Sequence, residues 1–282
     1  MAAPRERLSV VVLTSIPLGI EVAAALKALP EVGRIVLLTA PAAPSRSMLD
    51  QLKVTWRYEG IPGLLRAVLR RARKAARLEE GNKVAAQAAR RCPSVAHFAM
   101  PRFHSETCRA FIDAMAPDLG VVVGTHILRG DLYRIPRLGC INLHLGAAPE
   151  FRGSSPGFYE LLEGVGEAGV TIHRVTDTLD GGNILLQERF PLDIAPKGDP
   201  LEYLSRYVAD VLCPNGVRMM TAAVAALARG ACAERIQDVS RARPHRRATW
   251  ALKKALRRRV AGRRAARRGT VHGRLTSPAT EP

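Results

Sequence analysis

Apolar and polar positions fall into alternating blocks along the first two thirds of the chain. Leu8-Ser9-Val10-Val11-Val12-Leu13 is a β-branched apolar run, the pattern of a buried strand. Pro17 then opens a stretch with apolar residues at Val22, Ala23, Leu26 and Leu29, and Pro30 closes it; this spacing predicts a helix. Arg34 to Leu38 reads as a second strand and Val54-Thr55-Trp56-Arg57-Tyr58 as a third. Further along, a strand is expected near Val95 to Phe98, and Ser105 is placed to cap a helix reaching about Met115. Leu119 to Gly124 and Gly139 to His144 read as central strands, and Val170 to Val175 and Ile184 to Phe190 as the last two. Leu201 to Leu227 is helical in pattern, with an interruption expected at Pro214-Asn215-Gly216. Strands alternating with helices predict an α/β fold: a mostly parallel sheet flanked by helices. The pattern fades between Gly230 and Arg241. A division into residues 1–235 and a basic, partly disordered or helical tail, 236–282, follows.

Charge sharpens that division. The 282 residues carry a net +18, and from Arg241 onward there are fourteen Lys or Arg against one acid, Glu281. Such a tail suits a polyanion, whether RNA, DNA or an anionic membrane surface, unless it is simply a solvated end. Trp250, Leu252, Leu256 and Val260 recur at near-helical spacing within it, so a basic amphipathic helix able to lie on a membrane is one reading. A second basic face, Arg66, Arg70, Arg71, Arg73, Lys74 and Arg77, alternates with Leu65, Val68, Leu69 and Ala72. No apolar run approaches the roughly 20 residues of a membrane span, and Leu8 to Leu13 is too short for a signal-peptide core. A cytoplasmic protein is expected. Five scattered cysteines without a C-x-x-C pair fit neither a disulfide framework nor a zinc site.

Candidate chemistry gathers near the middle of the chain. Side chains alternate across a strand, so Asn142 and His144 share one side while Ile141, Leu143 and Leu145 take the other. Two polar groups thus stand together at the carboxyl end of a central strand, where open α/β sheets bind ligands. A loop, Pro149 to Pro156, follows. Further on, Asp180 heads the turn Asp177-Thr178-Leu179-Asp180-Gly181-Gly182, whose paired glycines permit close approach of a ligand.

Ile141-Asn142-Leu143-His144, then Pro149, Arg152-Gly153 and Pro156, then Gly169-Val170-Thr171-Ile172-His173 and Leu179-Asp180-x-Gly182, together resemble the signature of the 10-formyltetrahydrofolate-dependent formyltransferases. That family acts on methionyl-tRNA, glycinamide ribonucleotide or nucleotide-linked amino sugars. The resemblance spans about residues 8–195 and is strongest from Pro117 to Pro191. It implies a Rossmann-like fold and an acceptor amine that attacks the formyl carbon of the cosubstrate 10-formyltetrahydrofolate, with no metal. Asn142, His144 and Asp180 match the family's catalytic residues. By the same resemblance, Asn142 and a protonated His144 would stabilise the oxyanion, and Asp180 would favour the charged ring, orient water or take up the amine proton through water. The folate would lie near Ile127, Leu128, Thr178, Leu179, Gly181 and Gly182, and the acceptor near Arg152 and Gly153. His126 and His173 are expected to be structural.

Two departures from the family pattern bear on substrate. Leu145-Gly146 replaces the Pro-Ser that follows the catalytic histidine in many members, and Asp180-Gly181-Gly182 replaces Asp-Thr-Gly. The stretch Leu13 to Gly19 lacks the glycine-rich phosphate loop of the glycinamide ribonucleotide enzymes. The region after Gly230 lacks the strand pattern of the C-terminal barrel found in methionyl-tRNA enzymes. A small primary amine such as an amino-sugar nucleotide is the leading acceptor by elimination. A non-catalytic RNA-binding or membrane-surface protein is the alternative of another class. Because the signature ends near Pro191, small-amine formylation is expected to survive removal of residues 241–282.

Overall fold

The computed structural model of the chain describes residues 7–41, 50, 53–63 and 83–275. The basic face expected at Arg66 to Arg77 lies outside the described residues. The chain opens with β1 (Leu8–Thr14), α1 (Leu18–Lys27) and β2 (Val32–Thr39). Helix α2 covers residues 53–63. Then come α3 (Lys83–Arg91), β3 (Ala96–Ala99), α4 (Glu106–Met115), β4 (Leu119–Val123), α5 (Gly130–Tyr133) and β5 (Cys140–His144). Strands β1 to β5 form the parallel part of a seven-stranded sheet ordered β3-β2-β1-β4-β5-β7-β8. The last two, β7 (Glu167–Arg174) and β8 (Ile184–Pro191), run antiparallel to their neighbours.

The run that predicts β1 is apolar throughout because both faces of the sheet are covered. Val10 and Val12 enter one core with α1, while Val11 and Leu13 enter a second core with α4. Pro17 stands at the N-cap of α1, where its missing N–H costs nothing. Ser105 caps α4 by accepting from the Cys108 amide at 3.2 Å.

The stretch Val54 to Tyr58 is helical, not a third strand: it lies within α2. Strand propensity describes fit to a pleated, half-buried surface, and tertiary packing overrides it where no sheet edge is offered. The place beside β2 is taken by β3, and α2 packs instead on the C-terminal helix α9 (Trp250–Leu275). Gly60 lies against the Trp250 indole, Lys253 Nζ donates to the Tyr58 carbonyl at 2.8 Å, and Arg247 sits over the Tyr58 ring.

The interruption expected at Pro214 is also absent. Helix α7 (Pro200–Tyr207) continues through a π-helical turn, Val208–Leu212, into α8 (Cys213–Ala228). The wider turn just ahead of Pro214 accommodates the proline ring and its missing donor. This 29-residue run is long and apolar enough by length and composition to cross a membrane. Its inner face, Met219, Met220, Ala223 and Val224, is wholly buried in the larger core, as in the core helix of a globular fold.

Residues after Gly230 return across the domain. Arg235 exchanges two 2.8 Å backbone hydrogen bonds with Ile184. Strand β9 (Pro244–His245) pairs in parallel with β6 (Arg152–Gly153), and α9 runs along α6 (Phe158–Glu163) and α7. Leu256 and Val260 are fully buried in the larger core. The apolar stripe that suggested a membrane-surface helix is therefore turned into the protein. Much of the positive charge is engaged as well. Arg257 makes a two-pronged contact with Asp199 at 2.8 and 3.0 Å, and Arg267 pairs with Asp193. Arg263 donates to the carbonyls of Leu161, Leu162 and Ile194, satisfying the C-terminal turn of α6. Removing residues 241–282, a deletion that small-amine formylation is expected to survive, would strip this packing from α6 and α7. Leu256→Ala is expected to lower stability by about 2–5 kcal/mol, the range for emptying a buried leucine site; urea unfolding of the two proteins measures it.

Candidate active site

Strand β5 sets the site. Cys140 lies in the smaller core and Ile141 and Leu143 in the larger, so Asn142 and His144 point to the smaller-core side of the sheet. Asn142 pairs with Val122 on β4 and with His173 on β7. This is the carboxyl end of the parallel strands.

The Asp180 carboxylate is the hub. Its Oδ2 lies 3.7 Å from His144 Nδ1, and its Oδ1 lies 3.5 Å from His173 Nε2. The Gly153 amide donates to Oδ2 at 2.9 Å. Asn142 Nδ2 lies 3.1 Å from His173 Nε2. The His173 Nδ1 lies 2.8 Å from the Arg174 carbonyl, an acceptor, so Nδ1 carries a proton by its partner. Asp180 adopts a left-handed backbone, φ 47°, a conformation that costs a non-glycine residue about 1 kcal/mol or more and is maintained by its surroundings.

Burial pushes the Asp180 carboxyl up, but once the two rings carry a second proton in acid, a hydrogen bond from His173, the charges of His144 and His173 and the Gly153 amide together outweigh it and hold the pKa at about 2. The His144 ring moves the other way from the sequence expectation. Burial lowers its pKa below the usual imidazole value, and the opposing pull of Asp180 and the Phe151 carbonyl does not restore it. We take the resting ring as neutral, because desolvation dominates at a site this enclosed. Its Nε2–H donates to the Phe151 carbonyl at 2.7 Å, which leaves Nδ1 facing Asp180.

The loop after β5 turns back tightly enough to make that bond. A side chain at Gly146 would collide with both His144 Nε2 and the Phe151 carbonyl. The departure at this position thus has a steric reason: the serine of many family members does not fit this loop. Gly153, at φ 98°, likewise lets β6 approach the His245 backbone.

The remaining expected residues separate into two groups. Ile127, Thr178 and Leu179 are exposed, Gly181 is half-buried, and Leu128 and Gly182 are buried. Ile127 borders an open cleft of about 830 Å³, lined also by Arg102, His104, Thr125, His126, Arg129 and Asp131. Since Val123 pairs with Leu143, the loop forming this cleft leaves the sheet next to His144. Leu128 belongs to the smaller core. Arg152 is 4% exposed, and its guanidinium donates to Gln237 Oε1 at 2.6 Å. The Gly153 amide is engaged by Asp180.

Three residues make contacts near the site that the sequence does not show. His173, expected to be structural, contacts both Asn142 and Asp180; its register opposite Asn142 is the signal, and it depends on knowing that β5 pairs with β7. Gln237 reaches the site from the C-terminal segment. Glu160 is buried beside His144 and His245 in a small cavity, and burial, reinforced by Glu163, pushes its carboxyl up to about 7. A raised carboxyl binds its proton more tightly in the folded state, so stability falls as pH rises from the ordinary value toward 7. Glu160→Gln is therefore expected to raise Tm at pH 8 and leave it unchanged at pH 4, as thermal melts at both pH values would show. An equal Tm at pH 8 would contradict the buried charge.

Known proteins add a second line of evidence. Across residues 45–211, more than half of the chain, the sequence matches the formyl transferase family. The chain belongs to the formyl transferase family. A methionyl-tRNA formyltransferase of Pseudomonas putida (strain W619) is 35% identical over 150 residues, which cover 51% of this chain and 46% of that protein. This formyl transferase chain spans less than half the length of the curated relatives it matches. Among solved structures, glycinamide ribonucleotide transformylase 1 from Symbiobacterium toebii is similar with a TM-score of 0.55 at 21% identity, covering 84% of this chain and 98% of that one. The sugar 3N-formyl transferase WlaRD, solved in the presence of dTDP and 5-N-formyl-THF, gives a TM-score of 0.50 at 15% identity, covering 86% and 70%. At such identities these likenesses concern the fold, and the seven-stranded sheet ending at Asn142 and His144 is the formyl transferase sheet.

Proposed function

We propose that the protein transfers a formyl group from 10-formyltetrahydrofolate to a primary amine, with Asn142, His144 and Asp180 as its catalytic residues. The observation that carries this reading is the convergence of an amide, an imidazole and an ionised carboxylate at the end of β5. The cosubstrate supplies an activated formyl carbon. The cleft beside this point suits it. Ile127, 63% exposed, offers an apolar surface for a flat ring, and Arg102 and Arg129 offer charge to a carboxylate tail.

The chain's own groups then divide the work. Asn142 turns one amide N–H toward His173 and keeps the other for a developing oxyanion. His144 holds its Nε2–H on the Phe151 carbonyl until a more negative oxygen competes for it. Asp180 faces His144 Nδ1, so a proton released by the attacking amine and taken up there is stabilised as an ion pair, and it returns to N10 of tetrahydrofolate as the bond from the formyl carbon to N10 breaks. The neutral resting ring is what makes that uptake available.

A small acceptor such as an amino-sugar nucleotide fits a chain without a glycine-rich loop after β1. The curated relatives favour a second acceptor, methionyl-tRNA. On that reading the exposed Lys254 and Arg258 of α9 would contact phosphates. Formyl transfer assayed against an amino-sugar nucleotide, glycinamide ribonucleotide and methionyl-tRNA separates them. Turnover of one amine names the acceptor, and no turnover of any by protein that binds the folate rejects the reading.

A further inference from the structure

Gln237 lies well beyond the signature that marks the family, yet its side chain is only 5% exposed and is fully occupied at the site. Its amide nitrogen donates to the carbonyls of Asp180 at 3.0 Å and Gly182 at 2.5 Å. Its amide oxygen accepts from Arg152 Nη2 at 2.6 Å. These partners belong to the two segments that cradle the carboxylate: the turn bearing Asp180, and β6, whose Gly153 amide binds Asp180 Oδ2. A primary amide offers two N–H donors and an acceptor in one plane, a combination that carboxylate, ammonium and alkyl groups lack.

The segment bearing Gln237 is fastened on both sides. Ahead of it, Arg235 pairs with Ile184, and Glu234 bonds to Arg174 and Asn183. Behind it, β9 pairs with β6. We propose that Gln237 is a positioning residue for the proposed formyl transfer: it ties the Asp180 turn to Arg152, holds Asp180 in its left-handed backbone, and aims the carboxylate between His144 and His173. The strap formed by residues 234–245 is then part of the active site. This rests on the role given to Asp180 above.

Gln237→Glu and Gln237→Leu separate the contacts. The glutamate keeps an acceptor for Arg152 but loses both donors to the turn and adds negative charge beside Asp180; the leucine loses all three bonds. Kinetics and histidine NMR titrations would be run on both and on wild type, with the His144 resonance assigned through His144→Ala. In Gln237→Glu we expect kcat to fall about tenfold or more with the acceptor KM within about twofold. The added charge should raise the His144 titration by about half a pH unit or more, and the pH–rate limb should move with it. If Gln237→Leu folds, its kcat should fall by at least as much. Folded Gln237→Glu with wild-type kcat and an unmoved His144 titration would overturn the proposal. The NMR titration reads the arrangement without turnover. If wild type formylates no amine but the His144 titration still moves, the positioning stands and the reaction assignment fails.

Discussion

Asp180→Asn is expected to cut the rate of formyl transfer by about a hundredfold or more while leaving the protein folded and folate binding intact. The substitution preserves shape and removes charge. In wild type the carboxylate stands 3.7 Å from His144 Nδ1 and 3.5 Å from His173 Nε2. An amide there cannot stabilise a proton arriving at His144, and its NH2 group competes as a donor with the Gly153 amide. The same change has a stability signature. Hydrogen bonds and nearby charge hold Asp180 at about 2 against the raising effect of burial, so its folded pKa is depressed below the ordinary 3.8. A depressed carboxyl contributes stability that is present above the ordinary value and is lost as pH falls through about 2. That contribution is roughly 2 kcal/mol. Acid unfolding of Asp180→Asn should therefore show a shallower loss of stability between pH 4 and 2 than wild type. An unchanged rate, or an identical acid limb, would contradict the hub role.

His144→Ala is expected to lower kcat by about a hundred- to a thousandfold, the cost of losing a donor or proton acceptor at a reacting centre. The ring is buried, its Nε2–H already has an acceptor in Phe151, and its pKa is lowered first by burial. The wild-type pH–rate limb assigned to His144 should accordingly lie below the ordinary imidazole pKa, and it should vanish in the variant. Folate affinity should hold within about threefold, because no residue of the cleft beside Ile127 is touched. Wild-type kcat in His144→Ala would remove the imidazole from the chemistry.

The sheet was legible in the sequence because its strands are buried on both faces and so are written as unbroken apolar runs. Asn142 and His144 stood out for the same reason: they interrupt such a run at its carboxyl end. The turn at Asp180 carried its own signal in Gly181-Gly182 and in the wider resemblance. What failed to show depends on contacts remote in sequence. Val54 to Tyr58 has strand-forming residues, but its surroundings are the face of α9, and packing there decides for a helix. Pro214 marks a break only while the preceding turn is taken as regular. His173 lies in the resembling stretch Gly169 to His173, but its contacts with Asn142 and Asp180 come from the antiparallel pairing of β7 with β5. Composition does not show which charges of the basic tail are engaged: Arg257, Arg263 and Arg267 are tied to carboxylates and helix-end carbonyls. Gln237 is invisible for the same reason, a lone glutamine whose importance lies wholly in its partners.

The most direct measurement is formyl transfer from 10-formyltetrahydrofolate to the three-amine panel by wild type and by Asn142→Ala, with folate affinity measured on both proteins. Wild type should formylate one amine, and the variant should bind the folate with similar affinity yet lose about a hundredfold or more in kcat. Equal turnover by the two proteins, or folate binding by wild type without transfer to any amine, would contradict the assignment of the site at the end of β5.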